Sequence, residues 1–458
     1  MSKLDLFSKK AFHYFLHCVM AMLLINWVII TPAFHGIGIY EIVLFLLGCS
    51  ALLRLYYEKG GVFKAIFQVL GCAKWSVVAI TVYLVLGAVN ILYSQSPTYA
   101  LEKYITVVQL LFVGACMLYH IADRPNAQRG LYLNMGLTTI LIAFFALGKY
   151  LFFTDGDYPA IITPTRDYNL YSTILLMGWI CAITYSAQLS VSNMQKCTLI
   201  TIFTGILMPM VQVSGSRRSY LISFGVAAFV LAYAIILTVK TIRANKKAYM
   251  RAVCILLACV LCVGLANVAM TKTVSGLAQK ESSGPADGPG PSSAQDRLEI
   301  DSGFGKRIFI WNAAVKEIQR YDTKTLLFGK GAAYSSDLYD DTSIPEVQIV
   351  HDSYNKSAEN PAKKNWMNPH NLLLQDMLDG GIFLLLSLLT VIGAAVFYSV
   401  RLIRQMPAVG IGISLMYTVL LFTLLLSSGK GMLVNKFFWL ITFMQLLECF
   451  RIKYKKGV

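Results

Sequence analysis

Residues 197–239 read CTLITIFTGILMPMVQVSGSRRSYLISFGVAAFVLAYAIILTV, and this stretch decides the fold. It contains two apolar runs, 197–213 and 220–239, each close to the roughly 20 helical residues that cross the hydrocarbon core of a bilayer. The short polar segment between the runs carries two adjacent arginines, Arg217 and Arg218. The stretch therefore predicts two transmembrane helices joined by a tight basic turn.

Apolar runs of this length recur along most of the chain, which has 458 residues. It is 56% hydrophobic and 14% charged, and its mean hydropathy is +0.60. Because soluble domains average about 25% charged residues, the composition predicts an all-α polytopic membrane protein. Twelve transmembrane helices are predicted at 12–33, 37–54, 75–94, 104–122, 131–153, 170–189, 197–213, 220–239, 252–270, 381–400, 409–428 and 432–449.

Basic residues set the predicted orientation. Lys3, Lys9 and Lys10 precede the first apolar run, which lacks a small-residue cleavage site and is interpreted as an uncleaved span. With the N-terminus in the cytoplasm, nearly every basic cluster between spans falls on the cytoplasmic side, as the positive-inside rule requires. We expect a bacterial inner-membrane protein with both termini cytoplasmic. The basic residues that give the net charge of +16 are thus explained by helix orientation, and no nucleic-acid partner is predicted.

The predicted domain organisation follows from loop length. Residues 1–270 hold transmembrane helices 1–9, and residues 381–458 hold helices 10–12 and a basic tail that includes Arg451. Between them, residues 271–380 form one large periplasmic loop. The other loops on that face are short.

The large loop is predicted to have three parts. Residues 282–294 (SSGPADGPGPSSA) are typical of a flexible tether. Residues 303–320 predict an amphipathic helix, and residues 339–365 predict an irregular, mobile segment. The apolar face of the helix is predicted to comprise Ile308, Trp311, Ala314, Val315 and Ile318.

Two arginine sites on the periplasmic face are candidates for binding an anion. Short outer loops normally lack arginine, so the Arg217–Arg218 pair is unusual, and guanidinium groups bind phosphate in a bidentate fork. Arg307, with Lys306 beside it, begins the loop helix and is a further donor. The alternatives are a helix cap or a lipid headgroup partner for one of the pair, and a base at the membrane interface for Arg307.

His370 is the candidate catalytic residue. It lies at a predicted loop-to-helix boundary in the segment PHNLLLQDMLDG, 369–380, and an imidazole with a pKa near 6.5 can accept a proton from a hydroxyl. His351 is the rival, but its polar surroundings favour a solvated loop histidine. Possible supporting residues are Lys306, Asn371, Asp376, Asp379 and Lys430.

The sequence also limits the cofactors. The glycine-rich patches at 329–331 and 380–383 match no nucleotide-binding motif, and the large loop has no cluster of ligands at metal spacing. Neither a nucleotide, a metal nor another cofactor is predicted. An enzyme on the outer face then needs an activated substrate delivered through the membrane. A lipid-linked diphosphate supplies both the anion for the arginines and a good leaving group.

Three segments resemble the O-antigen ligase and O-antigen polymerase superfamily of bacterial membrane glycosyltransferases. They are GSRRSYLISF at the start of a span, FGKRIFIWNAAVKEI followed by LLFGKG, and PHNLLLQDMLDGG before the next span. The resemblance covers roughly residues 160–400. It implies that Arg217 and Arg307 bind the diphosphate of an undecaprenyl-diphosphate-linked glycan and that His370 deprotonates the acceptor hydroxyl. Arg218 has no clear counterpart, and Leu384 departs from the ligase pattern.

The resemblance leaves several functions open. The first is an O-antigen ligase of lipopolysaccharide biosynthesis, which moves O-polysaccharide onto lipid A-core. A repeat-unit polymerase has a second lipid-linked glycan as acceptor, and a protein O-oligosaccharyltransferase has a protein acceptor. A transporter of lipid-linked sugars belongs to a different class and needs charged residues inside the bundle, of which the sequence shows almost none.

Overall fold

The structure of the protein is a computed structural model that is helical throughout the residues it describes and contains no strand among them. The predicted all-α class is confirmed for this part of the chain. The described residues are 45–46, 48–49, 61–121, 125–152, 162, 168–244, parts of 253–272, 305–355, 367–426 and 431–455. The predicted spans 12–33 and 37–54 lie wholly or largely outside these residues, as does the tether 282–294, and the described residues within the predicted span 252–270 are helical.

Fourteen helices have defined bounds within the described ranges. They are α1 Gly61–Cys72, α2 Lys74–Val89, α3 Pro97–Ile121, α4 Pro125–Phe152, α5 Tyr168–Gln188, α6 Asn193–Gln212, α7 Arg217–Ala244, α8 Gly305–Gln319, α9 Thr323–Phe328, α10 Tyr334–Asp337, α11 Pro345–Asn355, α12 Leu372–Gln405, α13 Pro407–Leu426 and α14 Lys436–Lys455. Short 3-10 turns, Asn90–Tyr93 and Leu338–Asp340, extend α2 and α10.

Local sequence explains where several helices begin. Helices α3, α4, α11 and α13 each start with proline, whose missing N–H group costs nothing at the first helical position. Helix α6 begins with a capping box. The hydroxyl of Ser192 accepts a hydrogen bond from the backbone N–H of Gln195, and the Gln195 side chain accepts one from the N–H of Ser192.

Eight helices in the described part of the chain are long and apolar enough to span a membrane: α2 with its 3-10 turn, α3, α4, α5, α6, α7, α12 and α13. Each coincides with one of the predicted spans between 75 and 428. The twelfth predicted span, 432–449, is also helical, but α14 carries more charge than these eight. The total of twelve therefore stays a prediction.

Helices α5 and α14 form the centre of the bundle. Trp179 of α5 and Phe438 of α14 are completely buried, and every side chain from Phe437 to Ile452 is buried. One prediction is wrong here, because Arg451 does not extend into a basic tail. Its side chain is 6% exposed and lies 3.1 Å from the carboxylate of Glu448, so this charge is paired inside the bundle.

The two ends of the bundle can be told apart by their contacts. Helices α5 and α13 run antiparallel: Cys181 of α5 contacts Met416, its sulfur 3.5 Å from that of Met416, and the later residue Thr184 packs against the earlier residue Gly412 of α13. Arg451 hydrogen-bonds Gln188, the last residue of α5, and Met406, just before α13. We call this the Arg451 end. Gln188 ends α5, Met406 follows the end of α12, and Arg451 lies near the end of α14, so these three helices begin at the opposite end, called the His370 end. Helix α7 also begins there, because α6 runs back from the end of α5.

Helices α8 to α11 form a compact unit at the His370 end, here called the loop module (residues 305–355). Its core contains Ile310, Ala313, Ala314, Tyr334, Leu338, Tyr339 and Val347, and adds Met367 and Leu378 from the segment around the start of α12. The predicted helix at 303–320 is confirmed as α8. Its predicted apolar face is partly wrong, because Ile308 and Val315 are exposed and the following helices cover the stripe of Ile310, Ala313 and Ala314 instead.

The described part of the segment 339–365, residues 339–355, is more regular than the sequence suggested. Residues 345–355 form α11, so the prediction of an irregular segment is wrong for that part. His351 is half-buried on α11, and its Nε2 lies 2.7 Å from the carbonyl oxygen of Tyr339. It is therefore not a solvated loop histidine. The polar composition misled the prediction because, among the described side chains of α11, Val347 alone is buried.

Candidate active site

His370 lies in a tight turn directly before α12. Its φ angle is +49°, in the left-handed region that few residues other than glycine adopt. Two asparagines hold the turn. The side-chain oxygen of Asn368 accepts a hydrogen bond from the backbone N–H of His370 at 3.0 Å, and that of Asn371 caps α12 by accepting from Leu373 and Leu374. The imidazole is half-exposed. Backbone strain of this kind persists only where the surroundings fix it, and it often marks functional sites.

Helix α8 approaches this turn through Trp311. The indole Nε1 donates a hydrogen bond of 2.9 Å to the carbonyl oxygen of Pro369, the residue before His370. Arg307 lies four residues earlier, about 6 Å along the helix on the same face. Its side chain is half-buried. The structure thus brings the Arg307 segment close to the His370 turn. The side chain of Lys306 lies outside the described residues.

The arginine pair lies at the start of α7, at the His370 end. Arg218 donates from Nη2 to the hydroxyl of Thr173 at 3.0 Å and to the carbonyl oxygen of Asn169 at 3.3 Å, so it is held against α5. Ser216 donates to the side chain of Asn169 as well. Arg217, by contrast, is exposed. The two arginines therefore differ: Arg218 contacts protein groups and Arg217 presents its guanidinium outward.

Asp376 points into the bundle. Its carboxylate is 4% exposed and accepts a hydrogen bond of 2.6 Å from the hydroxyl of Tyr83 in α2. Asp379, one turn later, accepts from the backbone N–H of Ser335 in the loop module at 2.6 Å. Both carboxylates tie α12, the helix that follows the His370 turn, to its neighbours. Lys430 lies outside the described residues.

Two glycines lock the loop module onto α12, a contact that sequence reasoning missed. Gly329 and Gly381 both have positive φ, and their backbones touch: a Cβ at Gly381 would lie 2.6 Å from the nitrogen of Gly329. The N–H groups of Lys330 and Gly331 donate to the carbonyl oxygens of Leu378 and Asp379, each at 3.0 Å. The signal was present in the sequence as two glycine patches. Helix α12 is kinked at Gly381, whose φ and ψ angles are not helical.

The same connection continues to the loop after α2. The backbone N–H of Ala332 donates to the carbonyl oxygen of Asn90 at 2.9 Å. The hydroxyl of Tyr93 donates to the carbonyl oxygen of Phe328 at 2.7 Å. The loop module is therefore hydrogen-bonded to two membrane helices, α2 and α12. This fixes α8, and with it Arg307, relative to His370.

An ion pair stiffens the loop module from within. Lys330 contacts the carboxylate of Glu317, which also accepts a hydrogen bond of 2.8 Å from the hydroxyl of Tyr334. Burial raises the pKa of Glu317, but the hydrogen bonds from Lys330 and Tyr334 outweigh burial and hold that pKa below its usual value. Burial, followed by the bond to Glu317, raises the pKa of Tyr334. Glu317 is thus ionised at neutral pH.

Among the described residues, no three His, Cys, Asp or Glu side chains are grouped so that they could hold a metal ion.

Residues 200–389 match the O-antigen ligase family. The matched region contains both arginine sites, the His370 turn and the Gly329–Gly381 contact. No curated protein matches the chain. The match confirms the resemblance that the three sequence segments predicted. Together with the apolar helices it supports a membrane glycosyltransferase of the O-antigen ligase or polymerase type.

Proposed function

We propose that this protein transfers a glycan from undecaprenyl diphosphate to an acceptor hydroxyl on the periplasmic face of the bacterial inner membrane, as an O-antigen ligase whose acceptor is lipid A-core. The observation that carries the proposal is the arrangement at one end of the bundle. The starts of α7 and α12 lie there with the loop module, so Arg217, Arg307 and His370 share that end. The family match supports a transferase of the O-antigen ligase or polymerase type, of which we propose the ligase.

The distribution of charge supports a periplasmic location for the His370 end. Lys240 and Arg243 close α7, and Arg401 and Arg404 close α12, all at the Arg451 end. Basic residues accumulate on the cytoplasmic side of inner-membrane proteins. The His370 end then faces the periplasm, where no nucleotide is needed if the donor arrives as a lipid-linked diphosphate.

The proposed reaction is a direct displacement. His370 accepts the proton of the acceptor hydroxyl, whose oxygen forms a bond to the anomeric carbon of the donor glycan. The bond from that carbon to the diphosphate oxygen breaks, and undecaprenyl diphosphate leaves with the electron pair. Arg217 and Arg307 bind the diphosphate and stabilise the charge that develops on it. Arg218 positions the start of α7 through Asn169 and Thr173.

A deletion strain of the host tests this function when it is complemented with the wild type, His370→Ala or Arg217→Ala. Surface polysaccharide is resolved by gel, and membrane levels of each protein are measured. We expect both variants to give bare lipid A-core while lipid-linked polymer accumulates. Core carrying a single repeat unit indicates the polymerase instead.

Matched controls separate chemistry from folding. His351→Ala removes another half-buried histidine of the same region, and Arg243→Ala removes an arginine at the far end of α7. Both controls are expected to give a normal polysaccharide ladder. If His370→Ala also gives a normal ladder at normal protein level, the proposed site is wrong.

A further inference from the structure

A polar cleft of about 540 Å³ lies in the loop module. One wall is α8, with Lys316, Glu317 and Arg320, and the facing wall includes Ser343 and Glu346 at the start of α11. Gln95, from the loop between α2 and α3, closes the side towards the bundle. The volume falls within the 300–1,000 Å³ that small-molecule sites occupy. Its lining includes Glu317, Lys330 and Tyr334 of the ion pair described above, but no step of the proposed reaction uses the cleft.

The cleft lies on the far side of α8 from the candidate active site. Arg307 and Lys316 are nine residues apart, which is about two and a half helical turns, so they lie on opposite faces of the helix. Trp311 faces the His370 turn. A ligand that reached from His370 into the cleft would have to pass around a helix about 10–12 Å across. The cleft is therefore separate from the reacting bond.

We propose that this cleft binds an uncharged stretch of the glycan chain, several sugar units away from the unit that reacts. This proposal rests on the proposed function, because it takes the transferred glycan to be the ligand. It assigns to the loop module a second role besides holding Arg307.

The charges of the cleft favour hydroxyl groups over an anion. Four acidic and three basic side chains line it. Lys316 contacts Glu346, and Arg320 lies 4.0 Å from Glu317, so the bases are already matched by carboxylates. A phosphate group would meet a surplus of negative charge. Sugar hydroxyls can instead donate to carboxylate lone pairs that remain open and accept from the ammonium and guanidinium groups at the rim.

The acidic groups are pre-arranged to accept such bonds. Asp341 accepts from the backbone N–H and the hydroxyl of Ser343, at 3.0 and 2.6 Å. These bonds lower the pKa of Asp341, and the contact with Lys316 lowers the pKa of Glu346. The carboxylates therefore stay ionised and oriented at neutral pH. A site whose polar groups are already ordered loses less entropy on binding.

Binding can be measured with the full-length protein in detergent micelles. The probes are fluorescently labelled fragments of the host O-polysaccharide, of one repeat unit and of four or more units. Ser343→Trp places an indole in the cleft, and Thr323→Trp is its matched control, since both positions are exposed hydroxyl residues of the loop module. Arg320→Ala, which trims an exposed side chain, serves as a second variant if Ser343→Trp fails to fold.

We expect Ser343→Trp, or Arg320→Ala in its place, to weaken binding of the long fragment at least tenfold, while Thr323→Trp binds it like the wild type. We expect His370→Ala to keep this affinity although it loses transfer. Equal affinity in the cleft variant and Thr323→Trp overturns the cleft proposal. If His370→Ala still transfers glycan while the cleft variant loses binding, the proposed function fails and the binding site stands.

Discussion

The indole nitrogen of Trp311 lies 2.9 Å from the carbonyl oxygen of Pro369 and donates a hydrogen bond to it. This bond joins the helix that carries Arg307 to the turn that carries His370. Trp311→Phe keeps a ring in place but removes the donor. Losing one hydrogen bond costs roughly 1 kcal/mol of stability. Displacing Arg307 from its position relative to His370 also lowers the reaction rate, so we expect transfer to fall about tenfold. Transfer rate per mole of protein is the measurement.

Trp179→Phe is the control for that prediction. Trp179 also donates from its indole, to the hydroxyl of Thr204 at 3.0 Å, but inside the bundle. Trp179→Phe should lower the melting temperature by about as much as Trp311→Phe does, but it should leave transfer nearly unchanged. Equal losses of transfer in the two variants would mean that the Trp311 bond has no special role in placing the site.

The contact between Gly329 and Gly381 makes a second prediction. Gly381→Ala puts a Cβ within 2.6 Å of backbone atoms at a residue with positive φ. We expect it to detach the loop module, to abolish transfer and to make residues 305–355 sensitive to protease. Gly393→Ala lies further along the same helix, where a Cβ meets nothing within 4 Å, and should be neutral or stabilising by about 0.5–1 kcal/mol. Limited proteolysis of membranes distinguishes the two.

Comparing the sequence predictions with the structure shows what hydropathy can resolve. The eight apolar spans and helix α8 were predicted, because span length and helical spacing are visible in one sequence. The packing faces were not. Lipid and protein interior are both apolar, so Phe422, which is 50% exposed, and Phe438, which is fully buried, look alike in a sequence. The same ambiguity hid the central position of α14.

The candidate site was predicted residue by residue, but its supports were not. His370 and the arginines stand out because charged or titratable groups are rare near membrane spans. The bonds of Trp311 to Pro369 and of Tyr83 to Asp376 connect residues 58 and 293 positions apart. Nothing in a single sequence indicates such pairs.

The bond between Tyr83 and Asp376 predicts a difference between two substitutions of the aspartate. Asp376→Asn keeps an oxygen that can accept from the Tyr83 hydroxyl, whereas Asp376→Ala leaves the buried hydroxyl unpaired at a cost of about 1–3 kcal/mol. We expect Asn to keep transfer within about threefold of the wild type and Ala to lose most of it together with thermal stability. A large loss of transfer in a stable Asp376→Asn protein would show that the charge itself takes part in the reaction.

The Glu317 carboxylate predicts how the loop module responds to acid. Its pKa is lower in the folded protein than in the unfolded chain, so its stabilising effect is fully present above about pH 4.5 and is lost as the pH falls through the folded value. We expect protease resistance of residues 305–355 to stay constant from pH 7 to pH 5 and to fall below about pH 4.5. Glu317→Gln should be less resistant at pH 7 and show a smaller change with acid. A pH profile identical to that of the wild type would assign the acid response to other groups.

The two adjacent arginines at the start of α7 should fail in different ways. Arg217 is exposed, so Arg217→Lys should leave stability unchanged while it replaces a bidentate fork by a single point charge. Its KM for the lipid-linked donor should rise and its kcat fall, since the same group binds the ground state and the leaving diphosphate. Arg218 bonds Asn169 and Thr173, so Arg218→Lys should mainly lower the melting temperature and the amount of protein in the membrane. Steady-state kinetics beside thermal melts of both variants checks this division. If Arg218→Lys raises the donor KM while Arg217→Lys behaves as the wild type, the assignments of the two arginines are exchanged.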